Sequence, residues 1–499
     1  MPKGDSLKQK AIKSVFWSIG DQFANQGIQF ILQIILARIL LPEHFGIIGM
    51  ILVFVLISNI IIESGFSQAL IREQEATQAD YSTIFYFNLL LSLLLYGVLY
   101  ALAPMVSAFF NEPQIILILR VLSLSLIMNA LSIIQRTLLA KKIDFKSQTI
   151  INLISGVLSG VIAIGLALWG LGVWSLVIKT LSLQLFQLIF LWGFNNWRPS
   201  LIFEFNSLKR LFGFSSNLML SGLISVIYSN IYFIVIGKIY SVTQLGYYTN
   251  SVKITEAASL SITSALQRVT YPILSTIQDE DERLKYSFKK IIRVSAFINF
   301  PLMVGLAAIG DSLVYVLFGE KWMPMVIYFQ LLCIAGMLYP LHAIDLNILQ
   351  VKGKSNLYLQ LNIARKVTLT LLIIGAVFLK IGVIGLIGVI ILQTYIDFIL
   401  NSHFGGREIS YSTIEHIKDI THIYIITFTM GVVVYLSGVF LPVNHYLKLF
   451  IQLMLGPAYY IGISKFTKVE ELKVVMDIIY PLFKRFLTRK NERVINHNM

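Results

Sequence analysis

Glutamines recur at Gln22, Gln26, Gln29 and Gln33 of an otherwise apolar stretch, a spacing that lays them along one stripe of a helix with Asp21 and Asn25 beside it. Amides donate and accept hydrogen bonds but neither attack a substrate nor relay protons, so the chemistry on offer is binding. Glutamine glue between helices is the plainer reading. The length of the stripe favours the lining of a water-filled cavity. A second stripe places Asn217, Ser221, Ser225 and Ser229 at intervals of four, flanked by Tyr228 and Tyr232. A third apolar stretch carries Asn250, Lys253, Ser264 and Arg268, with Glu256 three residues beyond Lys253 and within helical ion-pair reach.

Charged groups at membrane depth are costly, about 2.5–3.5 kcal/mol each on insertion scales, so each needs a partner or water. Lys253, Arg38, Lys179, Arg365 and Arg268 are the candidate cavity cations; Asp21, Gln22, Asn25, Gln26, Gln29, Asn217, Ser221 and Asn250 are the candidate polar lining. Arg120 and Lys366 are expected to snorkel to an interface. Asp345, Asp397 and Glu256 are candidates for ion coupling, although Asp345 and Asp397 would equally serve as partners of Arg365 or Lys366. There is no phosphate-loop motif, no nucleophile elbow and no His/Cys cluster with metal spacing, so neither an enzyme nor a metal or cofactor is expected.

The elements that must position these groups are membrane helices. The chain of 499 residues is 56% hydrophobic and only 13% charged. Fourteen stretches are long and apolar enough to cross a bilayer: 15–37, 45–69, 83–108, 115–134, 150–168, 173–194, 212–236, 247–276, 294–317, 325–349, 357–379, 383–402, 421–440 and 449–463. They are continuous apolar runs, which excludes the alternating segments of a β-barrel. The expected fold is all-α. With the N-terminus inside, 29 of the 40 Lys and Arg fall in inward segments and 5 in outward ones, so both termini are expected in the cytoplasm. Trp17, Trp192 and Trp197 then mark inner edges, and Trp169, Trp174 and Trp322 outer edges. The net charge of +14 reads as this bias plus attraction to anionic lipid, not as nucleic-acid binding. A single cysteine, Cys333, leaves no disulfide to form, and no cleavable signal is recognisable at the start. The segments 195–211 and 278–293 read as amphipathic connectors, and no outward loop is large enough for a catalytic domain.

The chain also repeats itself. The turn from Leu41 to Gly46 falls opposite Ser241 to Gly246, Phe110 to Pro113 opposite Phe318 to Trp322, Ala140 to Phe145 opposite Val351 to Ser355, and Gly172 opposite Gly382. An even number of spans separates equivalent points, which predicts a parallel pseudo-repeat of two six-helix lobes, residues 1–204 and 205–404. Two further helices over 405–465 and a basic cytoplasmic tail over 466–499 would complete the chain.

Several runs resemble the polysaccharide transporter (Wzx-type) family: Trp17, Leu36 to Gly46, Glu63 to Phe66, Ala69 to Arg72, Leu138 to Phe145, Gly170 to Trp174, Leu245 to Tyr248 and Leu266 to Ser275. The resemblance extends from about Ala11 to Phe404 and is strongest to the branch containing the colanic acid exporter. It implies a member of the multidrug/oligosaccharidyl-lipid/polysaccharide superfamily with a MATE-like architecture. The implied activity is alternating-access transfer of undecaprenyl-pyrophosphate-linked oligosaccharide, a unit of O-antigen, capsule or exopolysaccharide, from the inner to the outer leaflet of the bacterial inner membrane. A polysaccharide polymerase and a chain-length regulator are the implied partners, and a monomer should suffice. Arg38 and Arg268 fall within family-like motifs; where many relatives carry arginine after the Tyr-Tyr pair, this chain has Asn250 and keeps its cation at Lys253. The rival readings are a cation-coupled multidrug exporter of the same superfamily, which the cation-rich interior disfavours, and a membrane polymerase or glycosyltransferase, which the short outward loops disfavour.

Overall fold

A computed structural model of the protein describes residues 24–477, and within them the chain is a succession of helices. The first is α1 (24–39). Then follow α2 (Pro42–Glu63), α3 (Phe66–Arg72), α4 (Gln78–Phe110), α5 (Ile115–Leu122), α6 (Leu124–Lys141), α7 (Phe145–Leu168), α8 (Val173–Phe194), α9 (Phe205–Ser229) and α10 (Ile231–Ile239). Beyond them lie α11 (Val242–Thr276), α12 (Asp281–Ala308), α13 (Gly310–Phe318), α14 (Val326–Gly336), α15 (Tyr339–Val351), α16 (Ser355–Phe378), α17 (Gly382–Arg407), α18 (Thr413–Phe440) and α19 (His445–Phe466).

Among the described residues, eleven helical segments are long and apolar enough to span a membrane, or twelve if the bent α9 counts as one. Two of the fourteen expected spans do not register, each for a plain reason. The first begins outside the described residues, and α11, 35 residues long, carries too many polar side chains to pass a test of apolarity. At about 1.5 Å per residue α11 is nonetheless some 52 Å long, ample for a crossing. Other boundaries move because helices outlast their apolar runs. The expected span 294–317 is α12 with α13, and most of the expected connector 278–293 belongs to α12. Helix starts are capped as their sequences predict: Asp80 Oδ2 accepts the Thr77 amide at 2.8 Å while Thr77 Oγ1 accepts the Asp80 amide at 3.2 Å.

The chain forms two compact units, one up to Asn250 and one from Ser251. In the first, Phe66, Leu70, Ile84, Phe85, Ile134 and Leu208 form a buried cluster with Trp192 and Trp197 packed against it. In the second, Phe288, Phe300, Phe329 and Trp322 are among the largest fully buried side chains. Trp322 therefore corrects an expectation: it is not an interfacial anchor but a core residue, 6.0 Å from Phe318 between ring centroids. Trp169, by contrast, is 82% exposed.

The turns paired in the sequence share backbone features. Left-handed conformations recur at equivalent turns: Asn111 (φ 56°) and Gly319 (φ 91°), Ile143 (φ 58°) and Gly353 (φ 68°), Gly172 (φ 52°) and Gly382 (φ 76°). The third repeated turn aligns Lys141 with Val351 as the last helical residue, one position off the register expected from side chains alone. The start of α2 meets the start of α11 reciprocally. A Cβ on Gly46 would lie 2.0 Å from the Val242 carbonyl oxygen, and one on Gly246 would lie 1.9 Å from that of Pro42. Residues 42 and 46 thus meet 246 and 242, in the turn set opposite theirs in the sequence.

Candidate functional site

The glutamine stripe divides along its length. Asp21 and Gln22 lie outside the described residues; Asn25 and Gln29 are half-buried on α1, Gln26 is exposed and Gln33 is buried. Gln33 donates from its amide nitrogen to the Asn250 side-chain oxygen, a buried bond that ties α1 to α11. Asn250 is fully buried and also donates to the Gly246 carbonyl at 3.4 Å. It is therefore interhelical glue and not part of a lining, a correction to the sequence reading. The small residues Gly156 and Gly160 of α7 allow α1 to approach: a Cβ at Gly160 would lie 2.3 Å from a Leu32 methyl. Among the described residues of the stripe, Gln26 is the exposed one.

The α9 stripe is different. Asn217, Ser221, Ser225 and Ser229 are all exposed. Ser229 donates back to the Val226 carbonyl at 3.2 Å and accepts from Asn230 Nδ2 at 3.1 Å. Four exposed polar side chains on one face of a membrane helix face water at lower cost than lipid.

In the second unit, Lys253 and Glu256 are both exposed, and Lys253 makes no ion pair and no hydrogen bond among the described residues. The expected neutralisation by Glu256 is absent at ion-pair distance. Lys253 stands eleven residues into α11. That places it about 16 Å along the ~52 Å helix, inside the expected span 247–276, where an exposed ammonium requires water. The side chain of Arg268 lies outside the described residues. Arg38 is exposed at the end of α1, and Lys179 is half-buried on α8.

Arg365 and Asp397 resolve each other. Arg365 Nε lies 2.9 Å from Asp397 Oδ2, and Gln393 donates to Asp397 Oδ1 at 2.6 Å. Arg365 is thus not a free cavity cation, nor Asp397 a free coupling carboxylate; α16 and α17 are held together by their pairing. Asp345 is 1% exposed, with Oδ1 3.9 Å from His416 Nδ1 and Oδ2 without a hydrogen-bond partner. His342, one turn away on α15, meets Asn401 Nδ2 at 3.5 Å. Asp345 is sealed in the core of its unit. Arg120 stacks 4.1 Å from the Tyr100 ring.

One cation was missed by sequence reading. Arg136 looks like a loop residue because the apolar run ends at Ile134, but α6 continues to Lys141 and Arg136 lies inside it. Its Nη2 donates to Asn129 Oδ1, and Asn129 Nδ2 donates to Asn59 Oδ1 at 2.7 Å. Asn129 and Arg136 are seven residues apart and Asn59 and Glu63 four apart, so the two helical spacings were readable.

Comparison with known proteins agrees with this architecture. The family model described as polysaccharide biosynthesis protein matches residues 35–327. The teichuronic acid biosynthesis protein TuaB of Bacillus subtilis (strain 168) is 27% identical over 303 residues, covering 60% of this chain and 62% of that relative. The chain thus spans less than two thirds of that protein's length. The lipopolysaccharide biosynthesis protein WzxC of Escherichia coli (strain K12) is 24% identical over 387 residues, covering 77% of this chain and 78% of the relative. Among solved structures, the lipid II flippase MurJ in an inward closed conformation superposes with a TM-score of 0.72 at 15% identity, over 91% of this chain and 99% of that one. At that identity the likeness establishes the fold.

Proposed function

This chain belongs to the polysaccharide biosynthesis protein family, and from that premise we propose that it is a flippase for a lipid-linked oligosaccharide. Its substrate is a polyprenyl-pyrophosphate-linked repeat unit of a surface polysaccharide, moved from the inner to the outer leaflet of a bacterial cytoplasmic membrane. Both termini face the cytoplasm, in keeping with the Lys and Arg bias. The observation that carries the reading is Lys253: an exposed ammonium inside the expected span 247–276, without an ion-pair partner among the described residues. Hydrocarbon penalises such a group by about 2.5–3.5 kcal/mol or more, so its retention makes sense where a hydrated path passes it. A cation there attracts an anionic head group and repels a cationic drug, and of the candidate coupling carboxylates Asp397 is already paired with Arg365. The exposed face of α9 supplies hydroxyls and an amide to which sugar hydroxyls can bond in place of water.

The direct test is reconstitution of the purified protein in vesicles with fluorescently labelled lipid-linked oligosaccharide, following its appearance in the opposite leaflet. Wild type should accelerate the transfer, and Lys253→Gln should slow it at least about tenfold at equal protein level. Transfer no faster than in protein-free vesicles would refute the proposal. Normal transfer by Lys253→Gln would remove Lys253 from it.

A further inference from the structure

Arg136 carries a guanidinium half-buried inside the first unit, and it is oriented unlike the next basic residue of its helix. Lys141, one and a half turns on, spends its ammonium on the carbonyls of Leu70, at 3.2 Å, and Glu73, and on the Tyr81 hydroxyl. It closes the C-terminal end of α3 in the usual manner of a terminal lysine. Arg136 instead reaches back along α6, away from that basic end, to Asn129. Among the described residues no carboxylate stands within ion-pair distance of it; Glu63, one turn beyond Asn59 on α2, acts on it only at longer range.

The polarity of the hydrogen-bond chain follows from its donors. A guanidinium can only donate, so Asn129 must present its oxygen to Arg136 and its nitrogen to Asn59. Asn59 then presents its oxygen to Asn129, which turns its own amide nitrogen away from the chain. Every hydrogen-bonding site left over on Arg136 and on the Asn59 nitrogen is a donor. A forked cation beside a free amide donor matches an oxyanion, which accepts at each oxygen and bonds arginine bidentately.

We propose that Arg136, Asn129 and Asn59 form an anion-recognition site in the first unit, taking an oxyanion of the translocated substrate. The proposal rests on the transport reading above and names the group that is recognised. Phosphate of the lipid carrier and a carboxylate of an acidic sugar share this chemistry, and the test separates them.

Purified full-length protein in nanodiscs is titrated with farnesyl pyrophosphate and, separately, with glucuronate. Arg136→Gln is expected to weaken one of the two at least about tenfold, with Arg136→Lys intermediate because a point charge lacks the fork. A loss confined to farnesyl pyrophosphate assigns phosphate; a loss confined to glucuronate assigns the sugar. Asn59→Asp, isosteric but with an acceptor in place of the free donor, should weaken the same ligand even if Arg136 variants fail to fold. Both ligands bound by folded Arg136→Gln, or by Asn59→Asp, within twofold of wild type would overturn the proposal. Vesicle transfer by the wild type is measured in parallel: a protein that binds through Arg136 but moves no lipid-linked oligosaccharide refutes the transport reading and leaves the anion site standing.

Discussion

The reciprocal crossing at Gly46 and Gly246 makes a prediction whose size can be worked from distances. Alanine at either position would place its Cβ 2.0 Å from the Val242 oxygen or 1.9 Å from the Pro42 oxygen, both backbone atoms that cannot rotate away. Carbon and carbonyl oxygen normally approach no closer than about 3.3 Å, so the two helix starts must separate by more than about 1 Å. Such separation forfeits a substantial part of the dispersion energy along the crossing, and overpacking of this kind costs about 1–3 kcal/mol. The two clashes are opened by the same movement. Gly46→Ala with Gly246→Ala should therefore cost clearly less than the sum of the single variants, a coupling of at least about 0.5 kcal/mol. Denaturant unfolding of the purified protein in mild detergent measures all three. Single variants within about 0.5 kcal/mol of wild type, or strictly additive costs, would show that the crossing is not the shared, tight contact described.

Three further outcomes follow from the packing. Arg365→Ala should destabilise the second unit by about 3–5 kcal/mol by stranding the Asp397 carboxylate, while Arg365→Met combined with Asp397→Leu should recover most of the loss in the same unfolding assay. Ile143 occupies a left-handed position that its repeat counterpart fills with Gly353, so Ile143→Asn should stabilise by about 1 kcal/mol, measured by the same titration. Beyond the last membrane helix, burial alone would raise the Glu471 carboxyl, but the His422 imidazole 3.6 Å from its Oε2 and the charge of Arg293 hold it below the ordinary 4.5. A lowered folded value means that this contribution is complete above the ordinary carboxylate range and is lost as pH falls through the folded one. Thermal stability scanned downward from pH 6 should therefore decline more steeply in wild type than in Glu471→Gln.

Much of this architecture was readable from residue types. The two-hundred-residue offset emerged from short turns because left-handed turn positions restrict which residues can occupy them, and Gly172 with Gly382 kept that mark. Helix ends were less legible. A helix continues past its apolar run wherever caps and tertiary contacts hold it, as α6 does through Arg136 and α12 does from Asp281. That is why Arg136, two residues past the apolar run, looks like a loop cation in the sequence. Partnering was the other blind spot. Nothing in the spacing of Arg365, Lys366, Asp345 and Asp397 says which acid meets which base, because the pairs lie on different helices. The glutamine stripe had a correct direction but two environments, dry at Gln33 and open at Gln26, which depend on how closely the small residues of α7 let α1 approach.

The account stands on water reaching polar faces inside the membrane, and cysteine accessibility tests that most directly. The only native cysteine, Cys333, is 1% exposed and contributes little background. Ser221→Cys and Ser225→Cys, introduced singly, are treated in native membranes with a charged, membrane-impermeant methanethiosulfonate, which reacts with the thiolate that forms only in water. Both should be modified, and excess lipid-linked substrate should slow the reaction. If both resist the charged reagent while a lipid-soluble maleimide labels them, the α9 stripe faces hydrocarbon and the hydrated path does not exist.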